Sequence, residues 1–320
     1  MSVQLSLQQP DALRPGDRVR VLSPAGPVIP ELLDQGLSTL QNWGLEVLVD
    51  HQTYHRRPPY DYLAGDDRSR LHALTRALDD PHCKAIICSR GGYGAMRSLP
   101  QLSPERWRAN RPLLVGFSDI TALHLFLSSR AGLTSLHGPV VKSFGLHDSD
   151  PHQSLRHLRD ALFGRTSAPA PFENLCTIRG GRVTGPVYGG TLSLLVALLA
   201  TPYCPDLSGA VLILEDVGEA DYRLDRLLTS LRLATEANDS PLGAIVLGDF
   251  LNCEGVYVES GQLSDFVATL ADDFQCPVVA NAPVSHGSSN RCFPMGVTAT
   301  LDGDEGTLRF HSHAVKAPIS

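Results

Sequence analysis

Short apolar runs alternate with longer segments that carry one apolar face through the first half of the chain. VRVLSPAG at 19–26 predicts a strand ending in a Pro/Gly turn. Leu32, Leu33, Leu37 and Leu40 then recur at helical spacing, and LEVLVD at 45–50 is the next strand. The alternation continues with Leu71, Leu74 and Leu78 on one face of a helix within 66–78, and then with a strand AIICS at 85–89. An apolar run at 113–117 leads into a mostly buried helix from Ile120, and LTSLHG at 133–138 closes the series. Strands alternating with helices imply right-handed crossovers and a parallel, doubly wound α/β sheet. Ligands of such sheets bind beyond the carboxyl ends of the strands.

Residues 143–175 break the pattern, being polar with Ala-Pro repeats, and predict a linker with one helix. A second unit follows. GPVYGGTLSLLVALLATP is a glycine turn into an apolar helix, AVLILED at 210–216 is a strand, and Leu224, Leu227, Leu228 and Leu231 mark a helix face. AIVLGDF at 244–250 is another strand, and the tail after Gly287 predicts short strands and turns. The expected organisation is an N-terminal domain over 1–142, a linker over 143–175 and a C-terminal domain over 176–320.

Composition narrows the function classes. A net charge of −7 argues against nucleic acid or an anionic membrane as partner, since both require clustered basic surface. No apolar run approaches the roughly 18 residues needed to span a bilayer, and no signal peptide is visible at the N-terminus. The seven cysteines are scattered without a CxxC pair, which fits reduced thiols in a cytoplasmic protein better than a disulfide or zinc framework. His147, Asp148, Asp150, His152 and His157 match no standard metal-ligand spacing and are expected to be linker residues. Neither metal nor cofactor is expected.

Polar residues at strand ends are the candidates for chemistry. Ser118 and Asp119 interrupt PLLVGFSDITALHLFL where strand meets helix; they could cap the helix, or Ser118 could be a nucleophile on a tight turn. Glu215 and Asp216 close the apolar run AVLILED, and His286 lies in the loop NAPVSHGSSN. A serine hydroxyl needs a base within hydrogen-bond reach, and an imidazole base needs an acceptor that fixes its tautomer. Ser118, Glu215 and His286 can supply those three roles. The glycine turn SRGGYGAM at 89–96 could gather backbone N–H groups around an oxyanion, or be a tight turn and nothing more. It fits no dinucleotide or P-loop pattern.

Taken together, SPAGP (23–27), AGDDRSR (64–70), IICSRGGYG (86–94), VGFSDITALH (115–124), HGP (137–139), YGGTLSLL (188–195), LILEDVGEADYRLDRLLTSL (212–231) and SHGSSNRCFPMG (285–296) resemble the serine LD-carboxypeptidase family. That family includes muramoyltetrapeptide carboxypeptidases and microcin C immunity proteins. The resemblance implies a flavodoxin-like N-terminal domain, a smaller C-terminal α/β domain and an active site in the groove between them. It implies Ser118 as nucleophile, Glu215 and His286 as its partners, and the backbone amides of Gly92 and Asp119 as the oxyanion hole. The implied substrate is a muropeptide tetrapeptide or similar short peptide. The bond cut joins the L-centre of the diamino acid to the terminal D-alanine, in cytoplasmic recycling of cell-wall peptides by a homodimer. Arg90, beside the oxyanion turn, is the expected holder of the free carboxylate. One departure is that family members often carry GGN where this chain has Gly189-Gly190-Thr191. The competing readings are an immunity-type hydrolase acting on a peptidyl-nucleotide analogue, and a non-catalytic peptide-binding module. A nucleotide-dependent oxidoreductase would need a dinucleotide fingerprint after the first strand, which SPAGP is not.

Overall fold

A computed structural model of the chain describes residues 7–147, 153–253, 258–259, 262–263 and 265–316. The first sheet holds five parallel strands, Arg18–Leu22, Glu46–Val49, Cys83–Cys88, Leu113–Gly116 and Ser135–His137. In space they run second, first, third, fourth, fifth, which is the flavodoxin-like order. The order reverses between Arg18–Leu22 and Cys83–Cys88, so a crevice opens beyond Leu22 and Cys88, where SPAGP and SRGGYG begin. A sixth strand comes from the far end of the chain: Phe293–Met295 pairs antiparallel with Ser135–His137.

The two-residue period of these strands distributes the side chains between two cores. Val19, Val21, Ala85, Ile87, Leu113 and Val115 face one side, where Leu33, Leu40, Phe144 and Leu158 cover them. Ile86, Cys88 and Leu114 face the other, into a larger core that also contains Ile213, Leu214, Ile245 and Val246 from the second sheet. The two halves of the chain therefore share one apolar interior.

The second sheet has seven strands. Arg182–Thr191, Val211–Val217, Ala244–Leu251 and Val278–Ala280 run parallel; Thr298–Asp302 with Thr307–Phe310 and, at the other edge, Cys176–Arg179 add antiparallel strands. The structure thus has the mixed α/β, two-sheet architecture that the sequence implies. The helix Thr121–Phe126, buried along its whole length, lies in the shared core between the sheets.

Two segments differ from the sequence reading. GPVYGG is the end of the ten-residue strand Arg182–Thr191 rather than a free turn, and its glycines let it run close against Val211–Val217. Within 143–175 the one expected helix is Ser154–Phe163, but it buries Leu158, Ala161 and Leu162 against the first sheet's outer core instead of lying free. Asp148, Asp150 and His152 lie outside the described residues. Among the described residues no group of three or more His, Cys, Asp or Glu side chains could hold a metal ion. Among them, too, no helix is long and apolar enough to cross a membrane.

Candidate active site

Just beyond the strand Leu113–Gly116 the chain turns sharply at Ser118, whose φ of 65° is in the left-handed region. A non-glycine residue held there stores strain, and such positions cluster at functional sites. The turn is fixed by close packing: a Cβ on Gly91 would stand 2.6 Å from Ser118 Cβ and 2.9 Å from Oγ. Only glycine at 91 lets the SRGGYG turn approach the serine, and Gly92 beside it adopts φ 114°.

Neither Ser118 nor Asp119 caps the helix that follows. Ser118 Oγ lies 2.9 Å from His286 Nε2, and His286 Nδ1 lies 2.6 Å from Glu215 Oε2. With a carboxylate as acceptor, Nδ1–H donates to Glu215 and Nε2 accepts from the serine hydroxyl. Glu215 is fully buried at the carboxyl end of Val211–Val217, and His286 stands on the loop before Phe293–Met295. The structure therefore brings Ser118, Glu215 and His286 together from sequence positions 168 and 71 residues apart. Phe117 packs edge-on to the imidazole, with centroids 4.9 Å apart.

Asp119 turns away from its own helix. Its Oδ2 accepts from the amide of Ala95 at 2.8 Å, tying the serine turn to the end of SRGGYGA. Burial pushes this carboxyl up to about 6 despite the amide bond that opposes the rise. Two buried histidines lie behind the serine. His124 Nε2 donates to the Gly116 carbonyl at 2.8 Å, and Ser135 Oγ stands 2.8 Å from its Nδ1. Burial lowers His124 to about 4 and holds His137, stacked on Phe293 at 4.4 Å, well below the usual imidazole range. The imidazole in hydrogen-bond contact with the serine is that of His286.

A further link was not visible in the sequence. Thr191, opposite Glu215 in the strand register, donates its hydroxyl to Glu215 Oε1 at 2.6 Å, and its amide donates to Thr121 Oγ1 at 3.1 Å. Thr121 opens the helix after the serine turn, and its amide donates to the Ser118 carbonyl. The bonded line therefore closes on itself, from Ser118 through His286, Glu215, Thr191 and Thr121. The only signal in the sequence was the departure from GGN at this position. Arg90 projects from the glycine turn, half-buried, and donates to the Pro27 carbonyl at 3.1 Å.

Fold and site define a class: a two-sheet α/β protein in which a serine on a strained strand-to-helix turn, a histidine and a buried glutamate form one hydrogen-bonded line. Residues 19–138 match the LD-carboxypeptidase N-terminal domain and residues 184–301 the LD-carboxypeptidase C-terminal domain. The chain belongs to the LD-carboxypeptidase family and is a hydrolase of the carboxypeptidase type. It is similar to the murein tetrapeptide carboxypeptidase of Pseudomonas aeruginosa, at 36% identity over 90% of this chain and 94% of that protein. The muramoyltetrapeptide carboxypeptidase of Oxalobacter formigenes superposes with a TM-score of 0.77 at 27% identity, covering 91% of this chain and 98% of that one. An MccF-like protein from Bacillus anthracis has the same fold, with a TM-score of 0.83 at 24% identity over 96% of this chain and all of that one.

Proposed function

We propose that this protein is a serine-type LD-carboxypeptidase that releases the terminal D-alanine from muropeptide tetrapeptides, with Ser118, His286 and Glu215 as its catalytic residues. The observation that carries the reading is the unbroken line from Ser118 Oγ through His286 to the buried Glu215. His286 Nε2 takes the hydroxyl proton as Ser118 Oγ attacks the carbonyl carbon on the L-centre of the diamino acid. The oxyanion that develops is held by the amides of Gly92 and Asp119, a contribution of roughly 3 kcal/mol per donor. Glu215 fixes the tautomer of His286 and stabilises the imidazolium. His286 returns the proton to the leaving nitrogen as the C–N bond breaks and D-alanine departs. A water, deprotonated by His286, then attacks the acyl-serine ester, and Ser118 recovers its proton.

Arg90 is assigned to the free carboxylate of the terminal residue. The reading keeps residues 1–142 as the half that supplies the nucleophile and 176–320 as the half that supplies Glu215 and His286, acting as a homodimer in the cytoplasm on peptides released from the wall. The test is product analysis with a purified tetrapeptide stem. Tripeptide and D-alanine are the expected products, and the same stem ending in L-alanine should be left intact. An uncut stem, with cleavage of an aminoacyl-sulfamoyl nucleoside instead, would replace this reading with the immunity-type one.

A further inference from the structure

The charge least accounted for in the groove stands on the glycine turn. The Arg90 guanidinium bonds to the Pro27 carbonyl, while its buried Nε has no hydrogen-bond partner among the described residues. Arg56, on the hairpin made by the strands Arg56–Arg57 and Tyr60–Ala64, lines the same cleft together with Asp61, Tyr62, Gly92 and Tyr93. Among the described residues, no carboxylate is within ion-pairing range of either arginine, Asp61 included. A third cation is near: the amide of the half-buried Lys142 donates to the carbonyl of Ser89, the residue before Arg90, at 3.0 Å. Burial and then Arg56 push Arg90 below its ordinary range; burial and then Arg90 do the same to Lys142.

Arg90 and Lys142 are half-buried while Arg56 is exposed; partly buried cations without a counter-charge gain most when an anion enters. We propose that the cleft between the glycine turn and this hairpin is the subsite for the anionic end of the leaving group, in which Arg56 joins Arg90 in holding the free carboxylate of a terminal amino acid. The assignment rests on the carboxypeptidase reading above and extends it to the hairpin. Spacing supports it. The carboxylate of a terminal residue lies one residue, about 3.8 Å, beyond the scissile carbonyl. A terminal nitrogen of Arg90 stands 3.7 Å from where a Cβ on Gly92 would be, so the cation is about one residue's length from the turn proposed to hold the oxyanion. The exposed rings of Tyr62 and Tyr93, with centroids 6.0 Å apart, wall the mouth and suit a small apolar side chain. A planar guanidinium pairs with a carboxylate through two parallel hydrogen bonds, whereas a neutral amide end offers one oxygen and no charge.

Binding separates this proposal from catalysis. In the Ser118→Ala protein, calorimetry with the tetrapeptide stem and with its C-terminal amide should show the free acid bound at least ~30-fold more tightly, as for a charge-assisted pair. Adding Arg56→Gln should cut that preference by about tenfold, and Arg90→Gln by more. Arg56 sits on an exposed hairpin, so its variant serves if Arg90→Gln does not fold. An unchanged preference in the folded Arg56→Gln protein overturns the proposal. If acid is preferred over amide and the preference depends on Arg56, yet the wild type releases no D-alanine, the subsite stands and the catalytic reading fails. Tight binding of an aminoacyl-sulfamoyl nucleoside, with no preference between the two peptides, would assign the anion to a nucleotide and overturn the carboxylate.

Discussion

Ser118 carries a backbone conformation that costs about 1–3 kcal/mol, and the packing of Gly91 against it holds the residue there. The carboxylate that orients His286 is itself oriented from behind by the Thr191 hydroxyl. Thr191→Val keeps the shape and removes the donor. A buried carboxylate that loses one hydrogen bond is weakened by about 1–3 kcal/mol, so kcat should fall by roughly 10- to 100-fold with KM little changed. Thr191→Ser should restore most of it; steady-state kinetics on the tetrapeptide stem decide. Asp119 gives a second residue-level expectation. Its carboxyl is raised to about 6 by burial, above its ordinary 3.8, so the neutral form is the one the fold favours. Its contribution to stability is full below the unfolded value and is lost as pH rises through about 6, a change of roughly 3 kcal/mol. Asp119→Asn should remove that slope, so denaturant unfolding between pH 4 and 7 should fall more steeply for wild type than for the variant. Ser118, Glu215 and His286 were legible in the sequence because each is a polar residue at the end of an apolar strand or in a loop of small residues. Thr191 and the side-chain role of Asp119 were not, because each depends on cross-strand register or on a turn 24 residues away.

Among the elements, the strand Arg182–Thr191 and the helix Thr121–Phe126 determine how closely the two halves meet. Gly190 has φ 108°, and a Cβ there would stand 2.5 Å from Thr121 Oγ1. Gly190→Ala should therefore lose about 1–3 kcal/mol from backbone strain alone, and more from separating Thr121 from Thr191. Thermal or denaturant unfolding measures the loss; unchanged stability would show that the contact is not tight. The alternating elements of the first sheet were readable because each strand is an apolar run and each helix has its own apolar face. The end of Arg182–Thr191 was not, since Gly189 and Gly190 look like turn residues when their neighbour Val211–Val217 is unseen. The tail was expected to hold short strands, but the pairing of Phe293–Met295 with Ser135–His137 was hidden, since three residues with a central proline give no period that points to an edge. Leu158, Ala161 and Leu162 carry too little pattern amid the polar residues of 143–175 to announce a core helix.

At the scale of the molecule, one apolar interior joins two sheets, and a serine from the first sheet meets a glutamate and a histidine from the second half of the chain. Phe293 completes the first sheet and stacks on His137 behind the serine turn, so the loop bearing His286 is anchored to the sheet that carries Ser118. This anchoring makes a short Ser118–His286 distance a property of the folded chain. The measurement that tests the account most directly is the rate of D-alanine release from a tetrapeptide stem by wild type and Ser118→Ala, with a chelator present throughout. The account expects release by the wild type and a loss of at least ~10³-fold in the variant, with an unchanged melting temperature. Full activity in a folded Ser118→Ala protein would contradict it.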